Sequence, residues 1–297
     1  MLHNEGGMTD FFRDDQAEAA SSDKLGKFLI GIGRAIAGAL LFALPMLMTM
    51  EMWALGFYID RFQLLLLLLV NIPLLVGLAH RIGFEDTFGW REDLRDSAIA
   101  FGIGIITSTI ILVLLGLLKA DDPWHEILGK IAIQSVPASI GAMLGRSQLS
   151  GDDDDDEDQE DADGGRETSY AGELFMMAVG ALFLSLNMAP TEEMILLSYK
   201  MTPSHALVTI VLSIALMHGF VYAVSFKGSH ELSSRTPWWH AFVRFTLPGY
   251  IIAVLISLYC LWTFERLEDV SATQILMSVI VLSFPGAIGA SAARLIL

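Results

Sequence analysis

Apolar runs of about 20 residues recur along the whole chain, and a helix of that length crosses the roughly 30 Å hydrocarbon core of a bilayer. Eight runs of this kind occur, at residues 35–58, 62–80, 97–118, 124–145, 171–198, 205–226, 238–263 and 272–296. Hydrophobic residues make up 54% of the chain, above the roughly 45–50% of soluble proteins. We therefore predict an all-α, polytopic helical membrane protein with eight transmembrane helices.

The net charge of −16 comes largely from two polar segments outside these runs. Residues 152–163, DDDDDEDQEDAD, contain ten acidic side chains and no basic one, and the N-terminal tail has six more acidic residues before Lys24. Such segments bury too little apolar surface to offset the entropy of ordering. We predict a disordered tail at 1–26 and a flexible acidic linker at 150–169, which lacks the spaced ligands of an EF-hand calcium site.

The basic residues are distributed unequally between the two ends of the predicted helices. Thirteen of the 18 lysines and arginines fall on the side of the N-terminus. The other side carries five, namely Arg61, Lys119, Lys130, Lys200 and Arg266. Because connections that stay in the cytoplasm carry the excess of lysine and arginine, we predict that both termini and the acidic linker are cytoplasmic.

The two halves of the sequence resemble each other. GALLFALPMLMTMEMWAL (38–55) matches GALFLSLNMAPTEEMILL (180–197) at an offset of 142, and QSVPASIGAMLGR (134–146) matches LSFPGAIGASAAR (282–294) at an offset of 148. We predict two four-helix repeats, at 27–149 and 170–297. Four spans return the chain to its starting side, so the repeats are parallel and related by a pseudo-two-fold axis along the membrane normal.

Carboxylates recur at matched positions in the first predicted helix of each repeat. Glu51 and Glu193 each follow a threonine by two residues, and a charged side chain in a span costs about 2.5–3.5 kcal/mol unless it faces a cavity or a partner. We predict a path for a cation or proton lined by Glu51, Glu193, Glu192, Thr49 and Thr191, and the sequence does not identify a metal. The alternative is structural ion pairing with Arg61 and Lys200.

Prolines interrupt the same helices. A proline inside a span frees a backbone carbonyl and bends the helix, and freed carbonyls are common cation ligands at membrane depth. The predicted helix breaks are Pro45, Pro190, Pro137 and Pro285. Around the last two, the small-residue patterns within 138–145 and 286–293 favour close helix packing over an ion path.

Several short stretches carry a family resemblance. They are the pattern LPxxxTxExW at 44–53, APTEEM at 189–194, FPGAIGASAAR at 284–294 and the acidic middle segment. Together they resemble a family of uncharacterised bacterial integral membrane proteins, catalogued only as a domain of unknown function, over about residues 25–297. The resemblance implies a bacterial inner-membrane location and no particular activity or functional residue.

Motifs for nucleotide binding, metalloprotease chemistry or serine hydrolysis are absent from the sequence. We expect no enzyme activity, no cofactor and no nucleic-acid partner. The lipid bilayer is the expected environment, and a homo-oligomer is compatible with the sequence. The predicted function is a cation or proton channel or carrier. The alternative is a non-transporting scaffold or sensor, whose acidic cytoplasmic loop contacts a partner or divalent ions.

Overall fold

The computed structural model describes residues 26, 29–82, 90–148, 170–225, 239 and 242–296. Within them the secondary structure is entirely helical, in ten helices. These are α1 (Leu29–Leu47), α2 (Met50–Tyr58), α3 (Arg61–Ile82), α4 (Trp90–Leu114), α5 (Trp124–Gln148), α6 (Tyr170–Met188), α7 (Glu192–Lys200), α8 (Pro203–Ser225), α9 (Phe242–Thr263, which begins as a π-helix at Phe242–Thr246) and α10 (Ala272–Ile296). The acidic linker and, apart from Gly26, the predicted tail lie outside the described residues.

Eight of these helices are long and apolar enough to cross a membrane, which confirms the predicted helical membrane protein. They are α1, α3, α4, α5, α6, α8, α9 and α10. Their outward faces are apolar: Leu41, Val211 and Leu255 are each more than half exposed. Exposed aliphatic side chains on every side of a bundle are what contact with lipid requires, since lipid tails offer no hydrogen bonds.

The predicted spans at 35–58 and 171–198 are present, but their predicted C-terminal ends are wrong, because each range contains two helices. α1 ends at Leu47 and α6 ends at Met188, and a separate helix of nine residues follows each of them. Thr49 and Thr191, which precede α2 and α7, have extended backbones with ψ of 130° and 139°. Hydropathy stays high through Thr49, so the run of apolar residues concealed the first break.

Side chains satisfy the carbonyl groups that these breaks release. The Thr49 hydroxyl donates to the carbonyl of Met46 at 2.9 Å, and the Thr191 hydroxyl donates to that of Met188 at 2.8 Å. The indole N–H of Trp53 donates to the carbonyl of Leu47 at 3.0 Å. An unsatisfied backbone group within the hydrocarbon region costs several kcal/mol, so these contacts stabilise both helix ends.

The four prolines behave differently from one another. Pro190 lies in the connection between α6 and α7, whereas Pro45 lies inside α1 close to its end. The sequence prediction of breaks at Pro137 and Pro285 needs correction, because α5 and α10 continue through them as α-helix. Proline removes a single N–H donor, and a helix packed on all sides can accommodate that loss.

The same two helices, α5 and α10, form the centre of the fold. In their candidate spans 72% and 61% of the residues are buried, against at most 44% in the other six. A Cβ atom at Gly38 would lie 2.2 Å from the carbonyl oxygen of Gly141, and one at Gly180 would lie 2.1 Å from that of Gly289. The predicted small-residue seams are therefore close helix contacts, of α5 with α1 and of α10 with α6.

The connections α1–α3, α4–α5, α6–α8 and α9–α10 meet at one end of the bundle, which we call the short-helix end. It comprises residues 48–61, 115–130, 189–202 and 264–271. Arg266, between α9 and α10, pairs with Glu192 at the start of α7. Lys130 on α5 donates to the carbonyl of Leu117 and packs against Gly56 of α2. The two halves meet at this end through the carboxylate of Glu265, which accepts a hydrogen bond from the backbone N–H of Asp60.

Candidate functional site

Charged and hydroxyl side chains from both halves converge at the short-helix end. They come from α2, the start of α3, the start of α7 and the α9–α10 connection. We call this group the end cluster, and its members are Glu51, Tyr58, Asp60, Glu192, Glu265 and Arg266.

Arg266 holds the break between α6 and α7 in place. Its Nη1 atom donates to Oε1 of Glu192 at 3.1 Å, and its Nη2 atom donates to the carbonyl oxygen of Pro190. The Arg266 side chain is only 15% exposed. Because one guanidinium binds both a carboxylate and a carbonyl of the break, it fixes the first turn of α7 relative to the α9–α10 connection.

Glu265 links the second half of the chain to the first, and its own backbone conformation is unfavourable. Its φ of 59° is left-handed, and its carboxylate accepts a hydrogen bond from the backbone N–H of Asp60. The α4–α5 connection has glycine at the corresponding turn, Gly116, with φ of 70°. In both connections the next N–H bonds back to a helix carbonyl, from Leu117 to Leu112 and from Arg266 to Leu261. These bonds form the same C-terminal cap on α4 and α9, and the cap needs one residue with left-handed backbone angles. A glutamate in this conformation costs roughly 1–2 kcal/mol relative to glycine.

Substitutions at Glu265 should separate the cap from the link to Asp60. Glu265→Gly removes the link and the strain together, whereas Glu265→Ala removes the link and keeps the strain. We expect the alanine variant to be less stable than the glycine variant by about 1 kcal/mol in free energy of unfolding, measured by denaturant titration in detergent. Gly116→Ala is the matched control and should show a similar loss. Equal stability of the two Glu265 variants would contradict the strain.

Several charged side chains of the end cluster shift the pKa of the Tyr58 hydroxyl. Partial burial raises the pKa of its hydroxyl, the Arg266 charge lowers it, and the carboxylates of Glu265, Glu192 and Glu51 raise it further. The net shift is upward, although 47% of the residue remains exposed. A tyrosine hydroxyl is already protonated at neutral pH, and an upward shift of its pKa keeps that of Tyr58 able to donate a hydrogen bond.

The predicted path residues lie outside the eight candidate spans. Glu51 is in the first turn of α2, and Glu192 and Glu193 are in the first turn of α7. A carboxylate at a helix N-terminus is stabilised by about 0.3–1 kcal/mol through the helix dipole, which favours glutamate at these positions. The placement of the carboxylates within spans is thus corrected, because the helices break before them.

The structure brings some of these residues together and leaves others apart. Glu51 is half-buried, and its charge, like that of Glu192, raises the pKa of Tyr58. Glu193 is exposed, with no hydrogen bond or ion pair to any residue that the structure describes. The suggested partner Lys200 likewise forms no ion pair within those residues, and Glu192 pairs with Arg266 instead.

A second charged cluster escaped the sequence analysis, which treated Lys130 only as an interruption in an apolar run. The Lys130 Nζ atom lies 2.5 Å from Oε1 of Glu126 and 3.6 Å from Oδ2 of Asp122, and it donates to the carbonyl of Leu117 at 3.0 Å. Lys130 is 9% exposed. The spacing of four residues between Glu126 and Lys130 is the sequence signal that could have revealed this pair.

Buried amide side chains on α3 and α5 also escaped the sequence analysis. The side-chain amide of Asn71 donates to Oγ of Ser139 at 3.0 Å, and both residues are fully buried. Gln134, with no exposed surface, donates to the carbonyl of Met46 at 3.4 Å. The contact of Gln134 means that the central helix α5 supports the break at the end of α1.

One protein family matches nearly the whole of this chain. The model of the DUF2391 family of integral membrane proteins matches residues 31–297. The chain belongs to this family. The DUF2391 match spans the end cluster, the Lys130 cluster and nearly the whole helical bundle, which confirms the resemblance predicted from the sequence. Searches of curated proteins and of solved structures found no match.

Proposed function

We propose that this membrane protein moves a cation or a proton across the bilayer, as a channel or carrier, and that the end cluster lies at the entrance of the path. The observation that carries the proposal is the meeting of carboxylates at the short-helix end, where Glu192 pairs with Arg266 and Glu265 accepts the backbone N–H of Asp60. The charges of Glu265, Glu192 and Glu51 also raise the pKa of Tyr58 at this end. These carboxylates come from both halves of the chain, so the entrance lies at the boundary between the halves.

The charge of the whole short-helix end supports the choice of a cation. Residues 48–61, 115–130, 189–202 and 264–271 contain ten acidic and five basic side chains, an excess of five negative charges. A surface of one sign raises the local concentration of ions of the opposite sign. Anions would be repelled from the same entrance.

The proposal includes the two parallel four-helix repeats. α7 begins 142 residues after α2, α8 begins 142 residues after α3, and α10 begins 148 residues after α5. α4 and α9 add matches at an offset of 149, which are Arg95 with Arg244 and Ser108 with Ser257, and Trp90 matches Trp239 at the same offset. Similar helix lengths at the offsets of the sequence matches support a duplication, with the path along the pseudo-two-fold axis.

We further propose a bacterial inner membrane with both termini in the cytoplasm, which places the short-helix end on the outer side. The support is the excess of thirteen basic residues over five on the side of the N-terminus. The competing role as a scaffold or sensor depends on the acidic linker, which is outside the described residues. The end cluster lies among the described residues, and its contacts support the path.

Flux into liposomes that contain the purified full chain tests the proposal. We expect wild-type protein to conduct H⁺, Na⁺ or K⁺ above protein-free liposomes. Glu51→Gln and Glu192→Gln should each lower that flux about threefold, because removing a unit charge about 6 Å away in water changes the energy of a cation by roughly 0.7 kcal/mol.

Glu193→Gln is the matched control, since it removes the same charge from the next residue, which has no described partner. We expect its flux to stay near that of the wild type. An equal loss in the Glu193 variant would contradict the end cluster as the entrance. Absence of flux for all three ions in wild-type liposomes would contradict transport itself.

A further inference from the structure

A cleft of about 460 Å³ opens at the short-helix end and shares Tyr58 and Asp60 with the end cluster. It lies between the end of α2, the start of α3 and the first two turns of α5, and its polar side chains are Tyr58, Asp60, Arg61 and His125. The candidate spans of α3 and α5 begin at Arg61 and Trp124. The cleft therefore lies at the level where the hydrocarbon core meets the polar interface.

The charged groups of the cleft are unequally engaged. Oδ1 of Asp60 accepts the backbone N–H groups of Phe62 and Gln63 at 2.9 and 3.1 Å, so this carboxylate caps α3. Arg61 and His125 are exposed and form no ion pair or side-chain hydrogen bond with the residues that the structure describes. The cleft thus offers an unpaired guanidinium within one residue of a carboxylate that keeps one oxygen uncommitted.

An apolar surface continues from the cleft along α3. Phe62, Leu65 and Leu69 are each more than half exposed, and their spacing of three and four residues places them on one face. Trp124, 79% exposed, stands at the start of α5. Tryptophan at this level is typical of the membrane interface, and the stripe on α3 extends toward the centre of the bilayer.

We propose that this cleft binds the headgroup of a phospholipid that carries a phosphate and a primary ammonium, with an acyl chain along the α3 stripe. The Arg61 guanidinium matches the phosphate through paired hydrogen bonds. The Asp60 carboxylate, in an end of the bundle with excess negative charge, accepts the ammonium. A free anion in solution is repelled by that charge, whereas a lipid is already held at the surface and adds apolar contacts.

Native mass spectrometry of the full chain in detergent tests this site, with dioleoyl phosphatidylethanolamine as the probe. We expect it to bind more tightly than dioleoyl phosphatidylglycerol, which lacks the ammonium, and dioleoyl phosphatidylcholine, whose ammonium cannot donate. Arg61→Gln should weaken binding about tenfold, the effect of losing a charge-assisted hydrogen bond. Lys200→Gln removes a charge at the same end, away from the cleft, and should bind like the wild type.

A second variant separates the two halves of the headgroup. Asn is as good an N-cap as Asp, so Asp60→Asn should fold normally and lose only the preference for ethanolamine over glycerol. Equal binding of all three lipids by the wild type would reduce the site to ordinary boundary lipid and overturn the proposal. Wild-type affinity in the Arg61→Gln variant, or displacement of the lipid by millimolar inorganic phosphate, would overturn it as well. The assay measures no flux, so its outcome is independent of the proposed transport.

Discussion

Gly38→Ala is expected to destabilise the protein by at least about 1–3 kcal/mol in free energy of unfolding, the cost of overpacking a close contact. The added Cβ would lie 2.2 Å from the carbonyl oxygen of Gly141 and 2.5 Å from the Cα of Gly145. Both atoms belong to the backbone of α5, so relief requires α1 and α5 to separate. The loss is measured by heating the protein in detergent and determining the remaining folded fraction by size-exclusion chromatography.

The control for this substitution is Gly102→Ala, inside the membrane-spanning helix α4. A Cβ at Gly102 would have no atom of another element within 4 Å, and alanine favours the helix by roughly 1 kcal/mol over glycine in water. We expect this variant to be as stable as the wild type or more so. If Gly38→Ala and Gly102→Ala unfold at the same temperature, the close contact of α1 with α5 is wrong.

Lys130→Met should have the second large effect, a loss of about 2–4 kcal/mol. Methionine replaces the aliphatic part of the side chain but leaves Glu126 and Asp122 without their cation. These carboxylates are only 17% and 18% exposed, so water compensates them poorly. The carbonyl of Leu117 loses its donor in the same step. Denaturant titration of the purified variant measures the change.

Two further variants test the reason for that loss. Lys119→Met removes an exposed charge from the same connection, and we expect a change within about 0.5 kcal/mol. Adding Glu126→Gln to Lys130→Met removes one of the two uncompensated carboxylates and should recover part of the stability. A double variant that is no more stable than Lys130→Met would show that electrostatics are not the cause.

The membrane-spanning helices could be predicted from the sequence because each depends on its own composition. A run of 18 or more apolar residues has few alternatives to a spanning helix, and the eight spans follow from that rule. The breaks at Thr49 and Thr191 are different, because their ends are held from elsewhere. The amide of Gln134 reaches the carbonyl of Met46 across 88 positions of sequence, and no local pattern signals such a contact.

The candidate site divides in the same way. Glu51 and Glu192 attracted notice as carboxylates next to apolar runs, which is a local property. Arg266 is paired with Glu192 across 74 positions, and Glu265 with the N–H of Asp60 across 205. In the sequence, Arg266 is visible only as part of the charge bias of its side, because its partner is determined by how the α9–α10 connection folds against the rest of the chain.

The position of α5 and α10 in the chain has a consequence for biogenesis. α5 packs against α2, α3 and α4, and α10 packs against α6, α7, α8 and α9, yet each is synthesised after all of those partners. Until α5 leaves the ribosome, Asn71 lacks the Ser139 hydroxyl and Met46 lacks the Gln134 amide. The nascent helices α1 to α4 therefore enter the membrane before these polar groups have formed the hydrogen bonds that α5 supplies. The core of each half closes only when its last helix is inserted.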